Sequence, residues 1–501
     1  MLALSFPRYG YGPVGFVALA PLFVALCGWS GRIGAYPGVT ARRGFLLGLA
    51  TGFVHFAGTV YWTGATVQTF GGLPWPVAVF VAGLLVAYMA LYIAATGAMI
   101  AILVRAFGLA GLLAAPAAWV TMEYLRGVLI GGFPWIPLGN SMVTLLPLAQ
   151  VASVTGVYGL SMVVALVNVG FTCAALGTRR VRLIGALGTL LLIAALSMWG
   201  ARRMAADKLV REGTPIRVGL IQGNIAQIDK WNPAKAGMIV DRYQQLTRQA
   251  LDGGAEFILW PESATPFYFE EDPQGAAVRK LVQESGKPLL LGSDEIEPGP
   301  DGRYFNSAFI LDAGGATAAV YRKIHLVPFG EYVPFQRLLF FVGPLVGAVS
   351  AFSAGEVVTL LPVNGHMVTT AICYEVTYPA LMRQGVLRGS EMLTTITNDS
   401  WYGESSAAFQ HFEMAAMRAI EQGRYLVRSA NTGISGIVDP YGRVLARTRL
   451  FETVALVGEA RFVRELTLYA KIGDSVAYAM AALTALALMA AGIFRRAGRA
   501  V

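Results

Sequence analysis

The first 200 residues carry a single carboxylate, Glu123. A stretch that long with one acidic group is a poor water-facing globule, whose surface normally intersperses both signs of charge. It divides instead into apolar runs of about 20 residues, the length that crosses a bilayer. Candidate spans fall at 12–29, 45–63, 75–103, 107–125, 153–176 and 182–199, with one more at 475–494. Residues 1–6 are apolar but too short to cross, and they read as the end of a further helix. They lack the charged leading region of a cleaved signal peptide. Residues 206–470 have ordinary soluble composition. The expected organisation is a transmembrane bundle at 1–199, a water-soluble domain at 200–474, a C-terminal transmembrane helix at 475–494 and a tail at 495–501.

The formal net charge of +9 sits partly in arginine clusters beside the apolar runs. That placement fits membrane orientation, and no nucleic-acid-binding motif accompanies it. Arg32, Arg42 and Arg43 follow the first span, Arg105 the third, Arg179, Arg180 and Arg182 the fifth, and Arg495, Arg496 and Arg499 the last. These loops alternate to one face, which the positive-inside rule makes cytoplasmic. The uncharged loops 64–74 and 127–152 then lie outside, and so does 200–474. Arg202, Arg203, Lys208 and Arg211 run against this pattern, but long translocated domains largely escape the rule. The apolar loop 127–152 is expected in the membrane interface. Of three cysteines, Cys27 and Cys173 lie in apolar segments and only Cys373 in the soluble domain, so no disulfide forms within that domain. His55, His325, His366 and His411 show no metal-ligand spacing, and neither metal nor cofactor is expected.

The soluble domain alternates strand-like and helix-like stretches, which argues a layered α/β domain. Strands are expected at 216–221, 257–260, 288–292, 306–311, 316–321, 367–372, 392–397, 425–429 and 436–438, with helices at 234–251, 274–285, 380–387 and 407–422. Cys373 follows the strand 367–372, and Pro379 opens the next helix. A nucleophile on such a strand-to-helix turn is expected to be exposed at the sheet edge. The alternative is a buried structural cysteine.

Glu262 stands in W-P-E-S just past a strand, Lys323 in Y-R-K-I-H-L-V-P-F-G-E-Y-V-P, and Cys373 in I-C-Y-E. Singly, Glu262 reads as a helix cap and Lys323 as a solvated charge. Together, in the order Glu, Lys, Cys on an α/β scaffold, they resemble the nitrilase superfamily and imply its αββα sandwich. A thiol attacks an acyl carbonyl as thiolate, a carboxylate can take its proton, and an ammonium can stabilise the oxyanion. With the membrane spans and the T-N-D-S-W motif, nearly the whole chain resembles the apolipoprotein N-acyltransferases. The resemblance implies Glu262 as base, Lys323 as oxyanion partner and Cys373 as nucleophile. Trp231, Glu331, Tyr374 and Glu375 match further family positions, Asn306 supports the site, and Asn398 and Trp401 lie on a neighbouring loop. It also implies a phospholipid acyl donor, a diacylglyceryl-prolipoprotein N-terminus as acceptor, and the bacterial inner membrane with the catalytic domain in the periplasm. The N-terminus is shorter than the family's usual eight-helix arrangement.

Residues 335–352 form an apolar run broken by Gly343-Pro344. In a membrane-tethered domain it reads either as a lid over the site, with Phe340 and Phe341 at its centre, or as a core segment. Two other functions compete. A tethered nitrilase-type amidohydrolase would resolve the thioester with water. A different class is a transporter or a non-catalytic scaffold; transporters place ionisable groups within the spans, and here these are nearly absent.

Overall fold

The computed structural model describes residues 1–28, 36–297, 299, 302–328, 330–332 and 352–497. The chain divides into two compact units: Met1–Gln68, Gly72–Ala206 and Ile472–Val501 form one, and Asp207–Lys471 with Thr69–Gly71 form the other. Phe340, Phe341 and all but Phe352 of the expected lid lie outside the described residues.

The first unit is helical. Helices Trp75–Phe107, Ala152–Leu176, Arg179–Ala206 and Ser475–Ala497 cover the expected spans 75–103, 153–176, 182–199 and 475–494. The stretch 45–63 is a bent pair, Ala41–Thr59 and Trp62–Gly71, meeting at 57°. Among the described residues, four helices are long and apolar enough to cross a membrane, or five if the bent pair counts as one. The stretch 12–29 is shorter than expected, a 3₁₀ turn Gly12–Phe16 and a helix Ala20–Leu26, each with a proline in its first turn. Buried Asn168 fixes this element: its Oδ1 accepts from Leu19 N (2.8 Å) and Ala20 N (3.1 Å), and its Nδ2 donates to Gly15 O (2.8 Å). Residues 1–6, expected as a helix end, form a 3₁₀ turn Leu2–Ser5.

Helices Ala41–Thr59 and Trp75–Phe107 pack through glycines four residues apart. A Cβ on Gly48 would stand 2.4 Å from Ile93 O, and one on Gly44 2.5 Å from Gly97 O. Backbones that close need small residues, the usual device where lipid removes any hydrophobic drive to associate. In the loop 127–152, Trp135, Ile136, Leu138 and Met142 are buried, and Gly139 N donates to Ser161 Oγ (2.8 Å).

The second unit is a two-sheet sandwich. Its strands are β1 Thr214–Gln222, β2 Phe257–Leu259, β3 Leu289–Ile296, β4 Tyr304–Leu311, β5 Thr317–Arg322, β6 Leu361–Val363, β7 His366–Ile372, β8 Met392–Thr397, β9 Leu426–Ala430, β10 Gly436–Val438, β11 Val444–Arg447 and β12 Val454–Phe462. One sheet runs β12-β1-β2-β3-β4-β5 and the other β11-β10-β9-β8-β7-β6. In the first, β1, β2 and β3 are parallel. In the second, β7, β8 and β9 are parallel. Parallel strands need crossovers, and helices supply them. Helix Ala236–Asp252 buries Ile239, Val240, Tyr243, Leu246, Thr247 and Ala250, a stripe at helical spacing. That stripe and helix Gly275–Ser285 pack on the first sheet around Trp260, Leu289, Leu291 and Phe309. Helices Pro379–Leu387 and Ala407–Gln422 follow β7 and β8. Ser429 Oγ donates to Ile221 O (3.0 Å) and Asn224 N to Asn431 O (2.9 Å), which links the carboxyl ends of β9 and β1.

Candidate active site

Three loops leave the carboxyl ends of β2, β5 and β7 and carry Glu262, Lys323 and Cys373. Trp260-Pro261-Glu262 turns off β2 so close to β3 that a Cβ on Gly292 would lie 2.6 Å from Glu262 Cα. Glu262 is buried, and all its described partners are donors. Oε1 accepts from Asn306 Nδ2 (2.7 Å) and Lys323 Nζ (3.2 Å), and Oε2 from Asn398 N (2.8 Å). Burial alone would raise its pKa, but the charges of Lys323 and Lys230 and the Asn306 bond hold it below the ordinary carboxylate range. It is an anion at neutral pH.

Lys323 follows β5 directly and is 1% exposed. Its Nζ donates to Glu331 Oε1 (2.7 Å) as well as to Glu262. Burial works against its charge, yet Glu262 and Glu331 hold it well above the ordinary lysine range. Glu331 also accepts from Asn306 Nδ2 (3.1 Å) and Val327 N (2.8 Å), so it anchors both Lys323 and the loop behind it.

Cys373 opens a 3₁₀ turn, Cys373–Thr377, with φ at +54°. A non-glycine residue in that region is strained by about 1–2 kcal/mol, and such strain collects at functional positions. The thiol is 5% exposed, where a strand-to-helix elbow leads one to expect an open sheet edge. The difference has a cause: the fold brings Glu262 and Lys323 beside the thiol, and His411 Nε2 within 3.0 Å of the Cys373 carbonyl oxygen. Burial and the Glu262 carboxylate push the thiol above its ordinary range, against the pull of Lys323 and a Thr397 hydrogen bond. At rest Cys373 is a thiol, and it needs a base.

Glu375 braces the turn. Its Oε1 accepts from Tyr321 Oη (2.9 Å), Ile324 N (2.6 Å) and His325 N (3.0 Å), and its Oε2 from Ile372 N (2.8 Å). It thus ties the Cys373 turn to the backbone just past Lys323. Burial pushes it up to about 7 against those donors. Tyr374 is buried and edge-on to Tyr378, ring centroids 5.3 Å apart. Asn398 Nδ2 donates to Gln227 Oε1 (2.7 Å). The two tryptophans are surface residues, Trp231 at 45% and Trp401 at 37% exposure, with Trp401 edge-on to Phe70.

Sequence reasoning missed Lys230. It is buried, donates from Nζ to Glu262 O (2.9 Å), and burial pushes it down to about 8. Its neighbour Trp231 was the signal that the turn belongs to the site. Also missed were Thr397, Asp399, His411 and Arg428, a buried polar cluster behind Cys373. Among the described residues no group of three or more His, Cys, Asp or Glu is placed to hold a metal ion.

The sandwich and its buried glutamate, lysine and cysteine define a carbon–nitrogen hydrolase, or nitrilase-type, domain. A family model described as Carbon-nitrogen hydrolase matches residues 217–462, and one described as Apolipoprotein N-acyltransferase N-terminal domain matches residues 1–170. The apolipoprotein N-acyltransferase of Geobacter metallireducens is 40% identical over 99% of this chain and 94% of its own length. Those of Shewanella oneidensis and Methylococcus capsulatus are 34% and 36% identical, each over 93% of this chain and 90% of their own. The chain belongs to the apolipoprotein N-acyltransferase family. A Nesterenkonia amidase with a covalently modified active-site cysteine is 19% identical over 54% of this chain and 97% of its own, with a TM-score of 0.40.

Proposed function

We propose that the chain transfers a fatty acyl group from a membrane phospholipid to the α-amino group of an apolipoprotein's N-terminal S-diacylglyceryl cysteine, through a thioester on Cys373. The observation that carries this is the Lys323 ammonium, bonded to both Glu262 and Glu331 beside a buried thiol. As the sulfur attacks the ester carbonyl, its proton passes to Glu262. Negative charge leaves the carboxylate and appears on the carbonyl oxygen. Both positions face Lys323, so the buried site gains no net charge, the condition under which a fixed cation helps most. The intermediate collapses by breaking the ester C–O bond, and Glu262 returns the proton to the leaving lysophospholipid. In the second half the acceptor amine attacks the thioester, Glu262 takes a proton from nitrogen, the C–S bond breaks, and Glu262 returns that proton to the sulfur to regenerate the thiol.

Protein incubated with phospholipid is expected to gain a hydroxylamine-labile fatty-acyl mass on the peptide containing Cys373, and to lose it on adding a diacylglyceryl-cysteine peptide. Adduct on another residue, or none, overturns the reading. Discharge to water as fast as to the peptide would favour the amidohydrolase, which family membership over 99% of the chain argues against.

Both substrates are lipids, so the soluble domain works at a membrane face. We assign the bacterial inner membrane, with 200–474 in the periplasm, residues 1–199 and 475–494 as the membrane part, and the tail 495–501 in the cytoplasm. The alternation of arginine-bearing loops supports this. A Lys280→Cys variant, exposed in the soluble unit, is expected to react with an impermeant maleimide in intact spheroplasts. Reaction only after lysis would reverse the orientation.

A further inference from the structure

By residue type, Cys373, His411 and Asp399 make a thiol–imidazole–carboxylate set of the kind that hydrolases use for nucleophilic attack. By geometry they do not. His411 Nε2, the atom that would take the thiol proton, lies 3.0 Å from the Cys373 carbonyl oxygen. A carbonyl only accepts, so Nε2 carries a hydrogen and donates it there. That atom is committed to the backbone of the nucleophile, and the base is elsewhere.

The ring is held from its other side. His411 is fully buried on helix Ala407–Gln422. Its Nδ1 lies 3.0 Å from Asp399 Oδ1 and 3.0 Å from Arg428 Nη2. Arg428 Nη2 also donates to Asp399 Oδ2 (2.8 Å), and its Nε to Ile434 O (3.1 Å). Burial, with the Arg428 charge, pushes His411 below its ordinary range. The neutral ring then accepts at Nδ1 from Arg428 and keeps its hydrogen on Nε2. If it were protonated, Nδ1 would donate to Asp399 and Nε2 would still donate to Cys373. Both states give the same contact.

Asp399 reaches the nucleophile by a second route. Its Oδ1 accepts from Thr397 Oγ1 (2.9 Å), and both groups act on the Cys373 thiol, the Asp399 charge raising its pKa and Thr397 lowering it. A Cβ on Gly433 would fall 2.1 Å from Asp399 Oδ2, so the chain has room for this carboxylate only because that residue is glycine.

We propose that His411 is a positioning residue for acyl transfer: anchored by Asp399 and Arg428, it clamps the Cys373 carbonyl and so fixes the strained Cys373–Tyr374 peptide and the direction of the thiol. A trans peptide is planar, with its carbonyl and N–H on opposite sides. Fixing the carbonyl therefore fixes the plane, the Tyr374 N–H and the χ1 origin of the sulfur together. Positive φ at Cys373 makes the clamp necessary, because a free turn would relax out of that region.

The inference rests on Cys373 being the nucleophile. The test compares His411→Gln and His411→Asn in the full-length protein. A glutamine places its amide nitrogen near the imidazole Nε2 and can still donate to Cys373 O. An asparagine ends near Nδ1 and cannot reach. Single-turnover acylation by phospholipid should slow about 10²-fold in His411→Asn, the scale for a reacting group displaced by about 1 Å. The phospholipid dependence should stay unchanged. His411→Gln should recover most of the rate. Wild-type acylation speed in His411→Asn overturns the proposal, as does a natively melting His411→Gln that is as slow as His411→Asn. If His411→Asn does not fold, the His411→Gln rate decides. Absence of any adduct in the wild-type protein would instead strike the proposed function.

Discussion

Cys373→Ala and Cys373→Ser are expected to fold and to carry no acyl group. The thiol is small, and removing its sulfur should cost about 1 kcal/mol of packing, within an ordinary stability margin. The strained φ of +54° is a backbone property that alanine and serine inherit unchanged, so neither adds strain. Serine keeps a hydroxyl in place of the thiol, but its proton is far harder to remove. Glu262, held below the ordinary carboxylate range, is a weak base chosen for a thiol. Transfer should fall below detection in both variants, at least about 10³-fold, with a cooperative melt close to wild type. Intact-protein mass spectrometry after incubation with phospholipid checks the first point and thermal unfolding in detergent the second. Fatty-acyl adduct in either variant would remove Cys373 from the mechanism.

The site was more legible than the fold around it. Glu262, Lys323 and Cys373 each follow a strand whose β-branched or apolar run marks it, Glu262 and Cys373 the parallel strands β2 and β7 and Lys323 the antiparallel β5. What could not be read was closure. A cysteine on a strand-to-helix turn predicts exposure, and only the tertiary fold shows it buried, with Glu262 and Lys323 beside it. Lys230 went unmarked in the sequence, and it is buried with its Nζ on the Glu262 carbonyl. His411 sits on a helix among alanines and methionines, where one imidazole carries no signal until Asp399 and Arg428 arrive from β8 and β9. β6 and β11 were missed because they are three- and four-residue hairpin partners of β7 and β10, too short to show a pattern, and β12 for a related reason to His411. β12 pairs antiparallel with β1 along its whole length, more than 200 residues away in sequence, and nothing local announces that partner.

Glu262→Gln and Lys323→Met should each nearly stop acyl-enzyme formation, for different reasons that separate in the measurement. Gln cannot accept the thiol proton, a loss of about 10²–10⁴-fold for a general base. It also fits its surroundings badly. Both Glu262 oxygens face donors, Asn306 Nδ2 and Lys323 Nζ on one and Asn398 N on the other. Whichever way the amide turns, its NH₂ meets a donor, so some loosening of the Asn398 loop accompanies the lost base. Lys323→Met removes the cation shared by Glu262 and Glu331 and leaves one buried and one half-buried carboxylate bonded to the same Asn306 amide. Breaking a buried pair by deleting one partner costs about 3–5 kcal/mol. Part of that is avoided if Glu262 takes up a proton, and a protonated Glu262 is no base. Lys323→Met therefore loses oxyanion stabilisation and base together, and should be both slower and less stable than Glu262→Gln. Lys323→Arg should not rescue it, because a planar guanidinium cannot replace a compact ammonium 1% exposed between two carboxylates. Quenched single-turnover acylation gives the rates and detergent melts the stabilities. A near-normal rate in a natively melting Glu262→Gln would move the proton to Glu331 or Glu375. A stable, active Lys323→Met would mean that the oxyanion is held by the backbone alone.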